Sequence, residues 1–346
     1  MTFTGHTPGS PAYRRLIVGL FFAGIATFAQ LYSPQAVLPQ LSSNLGITPA
    51  TAALAVSAAT LGLAAAVVPW SMVADRMGRV PAMGIGILTA TALGVLAPFS
   101  TGMEMLLALR LLEGVALGAV PAVALAYLSE EVSARDAATA AGSYIAGTTV
   151  GGLLGRVLSG LAGEPWGWRA GIWTVAGVCA VAAVLFLWLT PKAQGFVPGR
   201  FRHDASPRML ARLAMPLRSA TQLALYMQGF LLMGAFVAVY NYLGFHLIDA
   251  PFALPGWVVT LLFLAYLAGT VSSPTAGALA SRFGRYPVLL ASIAVMAVGA
   301  LAMLSQVLFA VIVGLLLFTA GFFGAHAVAS GWAPAAAASD LSLIHI

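Results

Sequence analysis

The chain has 346 residues, of which 60% are hydrophobic and 8% are charged. Soluble domains carry about 25% charged residues, so this composition excludes an ordinary soluble protein and indicates a polytopic membrane protein. The formal charge is +6, and the single cysteine, Cys179, lies in an apolar run, which excludes a disulfide framework or a thiolate metal site.

Apolar stretches that can span a bilayer as helices occupy most of the chain. Each needs about 20 residues, because a helix satisfies its own backbone hydrogen bonds where lipid offers no partner. The first group of predicted spans contains Leu16–Leu38, Ala50–Ala74, Pro81–Phe99, Met105–Leu128, Ala134–Ala162 and Ala170–Leu189. The second group contains Ala220–Leu247, Leu254–Ala280, Pro287–Leu304 and Leu308–Ser330. The first run is too long for the apolar core of a secretory signal, so no cleavable signal peptide is expected.

One long polar stretch, residues 191–218, separates the two groups of spans and is rich in Lys and Arg. We therefore predict an N-terminal bundle of six helices at 1–190, a basic linker at 191–218 and a second bundle at 219–346. Only four predicted spans follow the linker, so the second bundle is expected to be incomplete.

The basic residues predict the orientation in the membrane. With a cytoplasmic N-terminus, all 16 Lys and Arg residues except Arg110, Arg156 and Arg169 fall on the cytoplasmic side. The positive charge is then a determinant of topology beside anionic lipid, and we expect no nucleic-acid partner.

A short charged loop, Ser71–Met83, joins the second and third predicted spans and recurs later in the chain. Its sequence is SMVADRMGRVPAM, and Gly277–Leu289 reads GALASRFGRYPVL at an offset of 206 residues (281 − 75). Ala, Arg, Gly and Arg coincide when the two loops are aligned. A repeat of this period indicates two homologous halves, which is common among secondary transporters.

This loop resembles the signature of the major facilitator superfamily, G-x-L-a-D-r-x-G-r-[KR], between its second and third helices. Ser71 replaces the first Gly, Val80 replaces the last basic residue, and Ser281 replaces the Asp in the repeat. The resemblance implies an all-α membrane fold of two pseudo-symmetric six-helix bundles, the second here shortened to about four helices. It also implies a conformational gate formed by Asp75, Arg76, Gly78, Arg79, Arg282, Gly284 and Arg285.

Two charged residues, Arg110 and Glu113, lie inside the fourth predicted span and on one face of it. Charge at that depth is costly unless it is paired or functional. The segment RLLEG resembles the superfamily motif tied to proton coupling, which implies that Glu113 carries the proton. Arg110 lies nearer the outer end and is expected to be able to snorkel towards water. The alternative is an ion pair that only stabilises packing.

The fifth predicted span contains GTTVGGLLGR, in which Gly147, Gly151 and Gly155 form one smooth face for helix packing. The run resembles the antiporter motif of the superfamily, although Gly152 replaces its Pro and Arg156 replaces its last Gly. We expect Arg156 to line the same cavity as Glu113 and to meet either that carboxylate or an anionic substrate group.

Further polar residues in the spans are candidates for substrate contacts, because the first and seventh helices line the cavity in this superfamily. They are Gln30, Tyr32, Gln35, Tyr144, Gln228, Tyr240, Asn241, Tyr242 and Tyr266, of which Tyr32, Gln35, Tyr144, Gln228 and Asn241 are assigned to the substrate pathway. No H-E-x-x-H, Walker loop or Gly-x-Ser-x-Gly elbow occurs, so we expect neither an enzyme nor a cofactor or metal site.

The functional prediction is proton-coupled efflux of a small, drug-like or amphipathic compound by alternating access, by a monomer in the bacterial inner membrane. RLLEG, GTTVGGLLGR and YNYLGF resemble the drug and acriflavine-type exporters. A proton-coupled sugar or metabolite transporter is the alternative within the same class. A passive channel or membrane sensor is the alternative from another class, and dependence of flux on a pH gradient would distinguish it from a carrier.

Overall fold

The computed structural model describes residues 5–133, 135–197 and 219–343, with side chains omitted at 138 and 334–343. Within these residues the secondary structure is helical, apart from one isolated bridge between His6 and Val132. The chain divides into two compact units, Met1–Arg202 and His203–Ile346. Residues 198–218 of the predicted linker and the last three residues of the predicted second bundle lie outside the described part.

The first unit contains seven helical elements in its described residues. They are α1 Pro11–Tyr32, α2 Leu38–Leu45, α3 Pro49–Met77, α4 Arg79–Leu96, α5 Met103–Leu117, α6 Pro121–Glu131 and α7 Ala137–Leu189. Proline opens α1 and α3, where the missing N–H would have no acceptor inside the helix. Hydroxyl caps precede both: Tyr13 N–H donates to Ser10 Oγ and Thr51 N–H donates to Thr48 Oγ1.

The second unit continues with α8 Ala220–Ile248, α9 Gly256–Leu261, α10 Leu267–Phe283, α11 Arg285–Ala302 and α12 Leu308–Leu343. A 3-10 turn at Leu262–Tyr266 joins α9 to α10, so the two form one crossing, Gly256–Phe283. In the first unit, α1 with α2 and α5 with α6 likewise make single crossings.

Nine helical stretches in the described residues are long and apolar enough to cross a membrane. One of them, Thr139–Leu189, has 51 residues, more than twice the length that a single crossing needs. Its backbone breaks at Gly167, where φ is +82°, a value that glycine adopts at little cost. A Cβ on Gly171 would meet Ser159 O, whereas 12 residues of straight helix would separate these groups by about 18 Å. The chain therefore reverses here, and α7 supplies two antiparallel crossings.

The predicted fifth and sixth spans thus correspond to the two arms of α7, residues 137–166 and 168–189. The interval between these two predicted spans, residues 163–169, is helical apart from the reversal at Gly167, which follows Pro165.

The repeated loop has the same backbone conformation in both units. Gly78 has φ +102° and ψ 154°, and Gly284 has φ +92° and ψ 154°. Each glycine ends one helix and precedes another of 18 residues, α4 or α11. The two loops, which lie 206 residues apart in the sequence, therefore share a backbone conformation as well as a sequence pattern.

The glycine run in the first arm of α7 packs against α1. Cβ atoms at Gly147, Gly151 and Gly155 would collide with backbone atoms of Phe21, Ile25 and Ala29, respectively. At Gly151 the nearest of these atoms, Ile25 Cα, would lie 2.6 Å away. Backbone cannot move aside as a flexible side chain can, so the two helices approach this closely only where Cβ is absent.

We expect Gly151→Ala to destabilise the protein by about 1–3 kcal/mol, because α1 and α7 must separate to admit the methyl group. Gly142→Ala in the same arm is the matched control, since a Cβ there meets nothing within 4 Å. That control should be neutral or stabilise the helix by up to about 1 kcal/mol. Thermal unfolding in detergent measures both, and equal melting temperatures would contradict the prediction.

Candidate functional site

Arg110 and Glu113 form a fully buried ion pair in α5. Both side chains are 0% exposed, and Arg110 Nη1 lies 2.6 Å from Glu113 Oε2. Arg110 also donates from Nε to Ala55 O at 3.0 Å, from Nη1 to Gln30 O at 3.1 Å and from Nη2 to Leu31 O at 2.6 Å. The expected snorkelling of Arg110 was wrong, because its guanidinium is turned inward and connects α1, α3 and α5.

The end of α1 explains why these acceptors are available. The last four carbonyl groups of a helix lack partners within it, and α1 ends at Tyr32. Gln30 O and Leu31 O belong to that group and carry the partial negative charge of a helix C-terminus. A buried cation is stabilised there in addition to its ion pair.

The other oxygen of Glu113 faces a tight space between α1 and α4. Glu113 Oε1 is buried and has no hydrogen-bond partner within the described part of the chain. A Cβ at Gly94 would collide with Gln30 Nε2 and would lie 3.2 Å from Glu113 Oε1. Gly94 therefore leaves room for an amide beside the carboxylate. Gln30 is one of the polar span residues that the sequence offered as candidate contacts, and an amide in an apolar span indicates a site.

Arg156 lies in a second buried polar cluster, on the first arm of α7. Its Nε donates to Gln35 Oε1 and its Nη1 donates to Gly152 O, both at 2.5 Å. The guanidinium carbon lies 3.9 Å from the centre of the Tyr32 ring, within cation–π range. The structure thus brings together three of the predicted residues, Tyr32, Gln35 and Arg156, around one cation.

Two other predicted contacts have buried polar atoms without a hydrogen-bond partner in the described residues. They are the hydroxyl of Tyr144 in the first unit and both amide atoms of Gln228 in the second. Asn241, on α8, is 5% exposed. Its neighbour Tyr240, another polar residue of the same predicted span, shares a hydrogen bond of 2.7 Å with Thr319.

The loop between α3 and α4 forms a buried charge cluster around Arg79. Arg79 lies 2.5 Å from Asp75 Oδ1 and makes a two-point contact with Glu130, at 2.8 and 3.2 Å. The ring of Phe196 covers the guanidinium at 5.5 Å. Glu130 lies on α6, 51 residues along the chain from Arg79.

Of the remaining residues of the predicted gate, Gly78 is buried and the others are exposed. The exposed ones are Arg76 in the first unit and Arg282, Gly284 and Arg285 in the second. The Arg282 guanidinium lies 5.1 Å from the ring centre of its neighbour Phe283.

Glu131, at the end of α6, holds three segments together. Its Oε1 accepts from the backbone N–H groups of Gln194 and Gly195 at 2.7 and 2.6 Å. Its Oε2 lies 3.8 Å from His6 Nε2, and His6 N–H donates to the Glu131 carbonyl. The start of the predicted linker is therefore attached to the same helix that supplies Glu130.

We expect Glu131→Ala to release residues 191–197 from the first unit. Each lost hydrogen bond to the carboxylate contributes about 1.5–3 kcal/mol, so local opening becomes easier. Limited trypsin digestion measures this as faster cleavage after Lys192. Glu164→Ala, at an exposed carboxylate, is the control. Cleavage after Lys192 at the rate of the unmodified protein would contradict the prediction.

Comparison with known proteins identifies the family. A sequence model of the Major Facilitator Superfamily matches residues 20–340. The inner membrane transport protein YnfM of Escherichia coli is 40% identical over 325 residues, covering 94% of this chain and 77% of that protein. The uncharacterized MFS-type transporter YybF of Bacillus subtilis is 34% identical over 328 residues, covering 94% and 80%.

Among solved structures, the xylose transporter XylE from E. coli superposes with a TM-score of 0.70 and covers 94% of this chain and 84% of its own. Its sequence identity is 13%, so this likeness concerns the fold. The family match, the two relatives and the all-helical fold agree with the resemblance carried by the repeated loop. The chain therefore belongs to the major facilitator superfamily and is a multi-pass membrane transporter for small molecules.

Proposed function

We propose that this transporter exports a small amphipathic, drug-like compound in exchange for protons. The observation that carries the proposal is the Arg110–Glu113 pair, which is 0% exposed within a membrane-spanning helix. An ionisable pair at this depth is costly to keep, so a role in coupling is its default interpretation. The RLLEG and GTTVGGLLGR segments support export, through their resemblance to the drug and acriflavine-type exporters.

Proton exchange at Glu113 would act through Arg110. In the ionised form, Glu113 Oε2 accepts from Arg110, which also bonds to carbonyls of α1 and α3. Protonation of Glu113 removes the ion pair, whereas the hydrogen bonds from Arg110 to the carbonyl groups of α1 and α3 remain. The contacts that join the three helices therefore differ between the two charge states of Glu113. A change that favours one arrangement shifts the population of conformations, as alternating access requires.

Substrate contacts are assigned to Tyr32, Gln35, Tyr144, Arg156, Gln228 and Asn241. The buried hydroxyl of Tyr144 and the buried amide of Gln228 support this most directly. A polar group buried without a partner costs about 1–3 kcal/mol, which a bound substrate can offset. Arg156 adds a cation and Tyr32 an aromatic face, which suits an amphipathic molecule with a planar part.

The gate is assigned to Asp75, Arg76, Gly78, Arg79, Arg282, Gly284 and Arg285. The charge cluster around Arg79 supports the assignment for the first unit, because it joins α3, α4 and α6 at one end of the bundle. The proposal also includes bundles at 1–190 and 219–346, a basic cytoplasmic linker at 191–218, a cytoplasmic N-terminus and a monomeric protein in the bacterial inner membrane.

The test is a susceptibility and accumulation screen in a bacterium that lacks its major drug pumps. Cells expressing the protein should accumulate less of at least one amphipathic compound than cells expressing Glu113→Gln. The compound found is then followed in proteoliposomes with an imposed pH gradient. Substrate movement in the same direction as the protons would indicate a metabolite importer. Substrate flux that does not depend on the pH gradient would indicate a channel. Either result would overturn the proposal.

A further inference from the structure

The second unit contains a cavity of about 460 Å³ beside the repeated loop. The end of α10, the start of α11 and the middle of α12 line it, and its polar lining includes Ser281 and Arg285. This volume lies within the range of small-ligand sites. The residues proposed for proton coupling and substrate contact do not line it.

The two halves of the repeat differ in charge at this place. In the first unit Arg79 is buried and neutralised by Asp75 and Glu130. At the offset of 206 residues, Ser281 stands in place of Asp75, and the sequence has Ala336 in place of Glu130. Arg285, the equivalent of Arg79, is exposed and has no carboxylate within ion-pair distance among the side chains that the structure describes.

The same backbone conformation therefore presents a neutralised cation in one unit and an available cation in the other. Arg285 is the first residue of α11, where backbone N–H groups lack acceptors within the helix and the dipole favours an anion. Ser281 Oγ donates to Gly277 O at 3.1 Å, and the described residues that line the cavity include no Asp or Glu beside Arg285. A cavity with these groups selects an oxyanion such as phosphate.

The surroundings indicate where such a phosphate comes from. Large apolar side chains beside the loop are exposed, with Phe283 at 59% and Tyr286 at 62%. Leu279 and Leu290 are exposed as well. A basic site among exposed apolar side chains at the end of a spanning helix fits a lipid, whose acyl chains cover the apolar part while its headgroup meets the cation.

We propose that this cavity binds the phosphate group of an anionic phospholipid. The site shares Gly284 and Arg285 with the proposed gate, and it is absent from the first unit, where Asp75 and Glu130 neutralise the equivalent arginine. It would make the second unit sensitive to the lipid composition of the membrane.

The test uses the purified chain in nanodiscs and in detergent, with phosphatidylglycerol, phosphatidylcholine and inorganic phosphate as probes. Retention of lipid is read by native mass spectrometry, and thermal unfolding is followed in parallel. We expect tighter binding of phosphatidylglycerol than of phosphatidylcholine. Arg285→Gln should weaken it roughly 10-fold or more, as expected for loss of a charge-assisted contact.

Ser281→Asp gives a more specific test, because it places a carboxylate at the position that Asp75 occupies in the first unit. It should pair with Arg285 and reduce phosphatidylglycerol binding to the level of Arg285→Gln. Ser281→Asn is its neutral control and should retain binding. Arg282→Gln is the control for general loss of charge, since Arg282 lies on Phe283 and does not line the cavity.

Three results would overturn the proposal: equal binding of the two lipids, unchanged binding in Arg285→Gln, or equal loss in Ser281→Asn and Ser281→Asp. Displacement of the lipid by millimolar inorganic phosphate would assign the site to free phosphate and also overturn it. Glu113→Gln, which tests the proposed coupling, should retain phosphatidylglycerol binding, so failure of this site and failure of the proposed function are separate outcomes.

Discussion

Replacing Glu113 with Gln is expected to abolish transport driven by a pH gradient while exchange of substrate across the membrane continues. Gln has nearly the same shape and its carbonyl can still accept from Arg110, so the local packing is preserved. It cannot take up or release a proton, and therefore the charge state that distinguishes the two arrangements is lost. The measurement is flux in proteoliposomes with and without an imposed gradient, using the compound identified in the screen.

Glu104→Gln is the matched control for this experiment. Glu104 lies in the first turn of the same helix, α5, and is exposed. Its substitution should leave gradient-driven flux as in the unmodified protein. Gradient-driven flux that persists in Glu113→Gln would exclude Glu113 as the coupling residue, and the pair would then serve only the packing of α1, α3 and α5.

Replacing Arg110 with Ala is expected to have the largest effect on stability, a loss of about 3–5 kcal/mol. The substitution leaves an ionised carboxylate buried at 0% exposure and removes the donor to three backbone carbonyls. The two partners are not equivalent: Glu113→Gln leaves Arg110 with those carbonyls, whereas Arg110→Ala removes the only ion-pair partner that the structure shows for Glu113. We therefore expect a well-folded Glu113→Gln and a poorly expressed Arg110→Ala.

Thermal unfolding in detergent measures this difference, with Arg76→Ala as the control at an exposed arginine of the same unit. The double variant Arg110→Ala with Glu113→Ala should be more stable than Arg110→Ala alone, because no charge then remains in the site. A double variant less stable than the single one would contradict this expectation, because the Glu113 side chain would then stabilise the fold even without Arg110.

Local patterns in the sequence were enough to place the membrane spans, the repeated loop and the Arg110–Glu113 pair. The length of an apolar stretch predicts a membrane crossing, and a spacing of three or four residues predicts which side chains share a helix face. The offset of 206 residues relates the two loops. Each of these depends on residues that are close in the chain or on direct comparison of two segments. The superfamily resemblance rested on the same local motifs, and the family match supports it.

Contacts between distant segments were not predictable in this way. Arg110 donates to Gln30 O, 80 residues away, and Arg79 pairs with Glu130, 51 residues away. A basic side chain near the end of a span can turn towards water or towards the bundle, and its sequence neighbours do not distinguish the two. The direction depends on which carbonyl groups the packing of α1 and α3 leaves available.

The sequence alone thus determined that this protein crosses the membrane many times, that it repeats, and that two charges share one face of a helix. Tertiary structure decided which charges are satisfied. Arg79 and Arg285 follow glycines of the same backbone conformation, yet Arg79 is buried between Asp75 and Glu130 and Arg285 is exposed beside a cavity. The replacement of Asp75 by Ser281 can be read from the sequence, whereas Glu130 is supplied by α6, 51 residues along the chain from Arg79. The environment of each charge therefore depends on which distant helix packs against it.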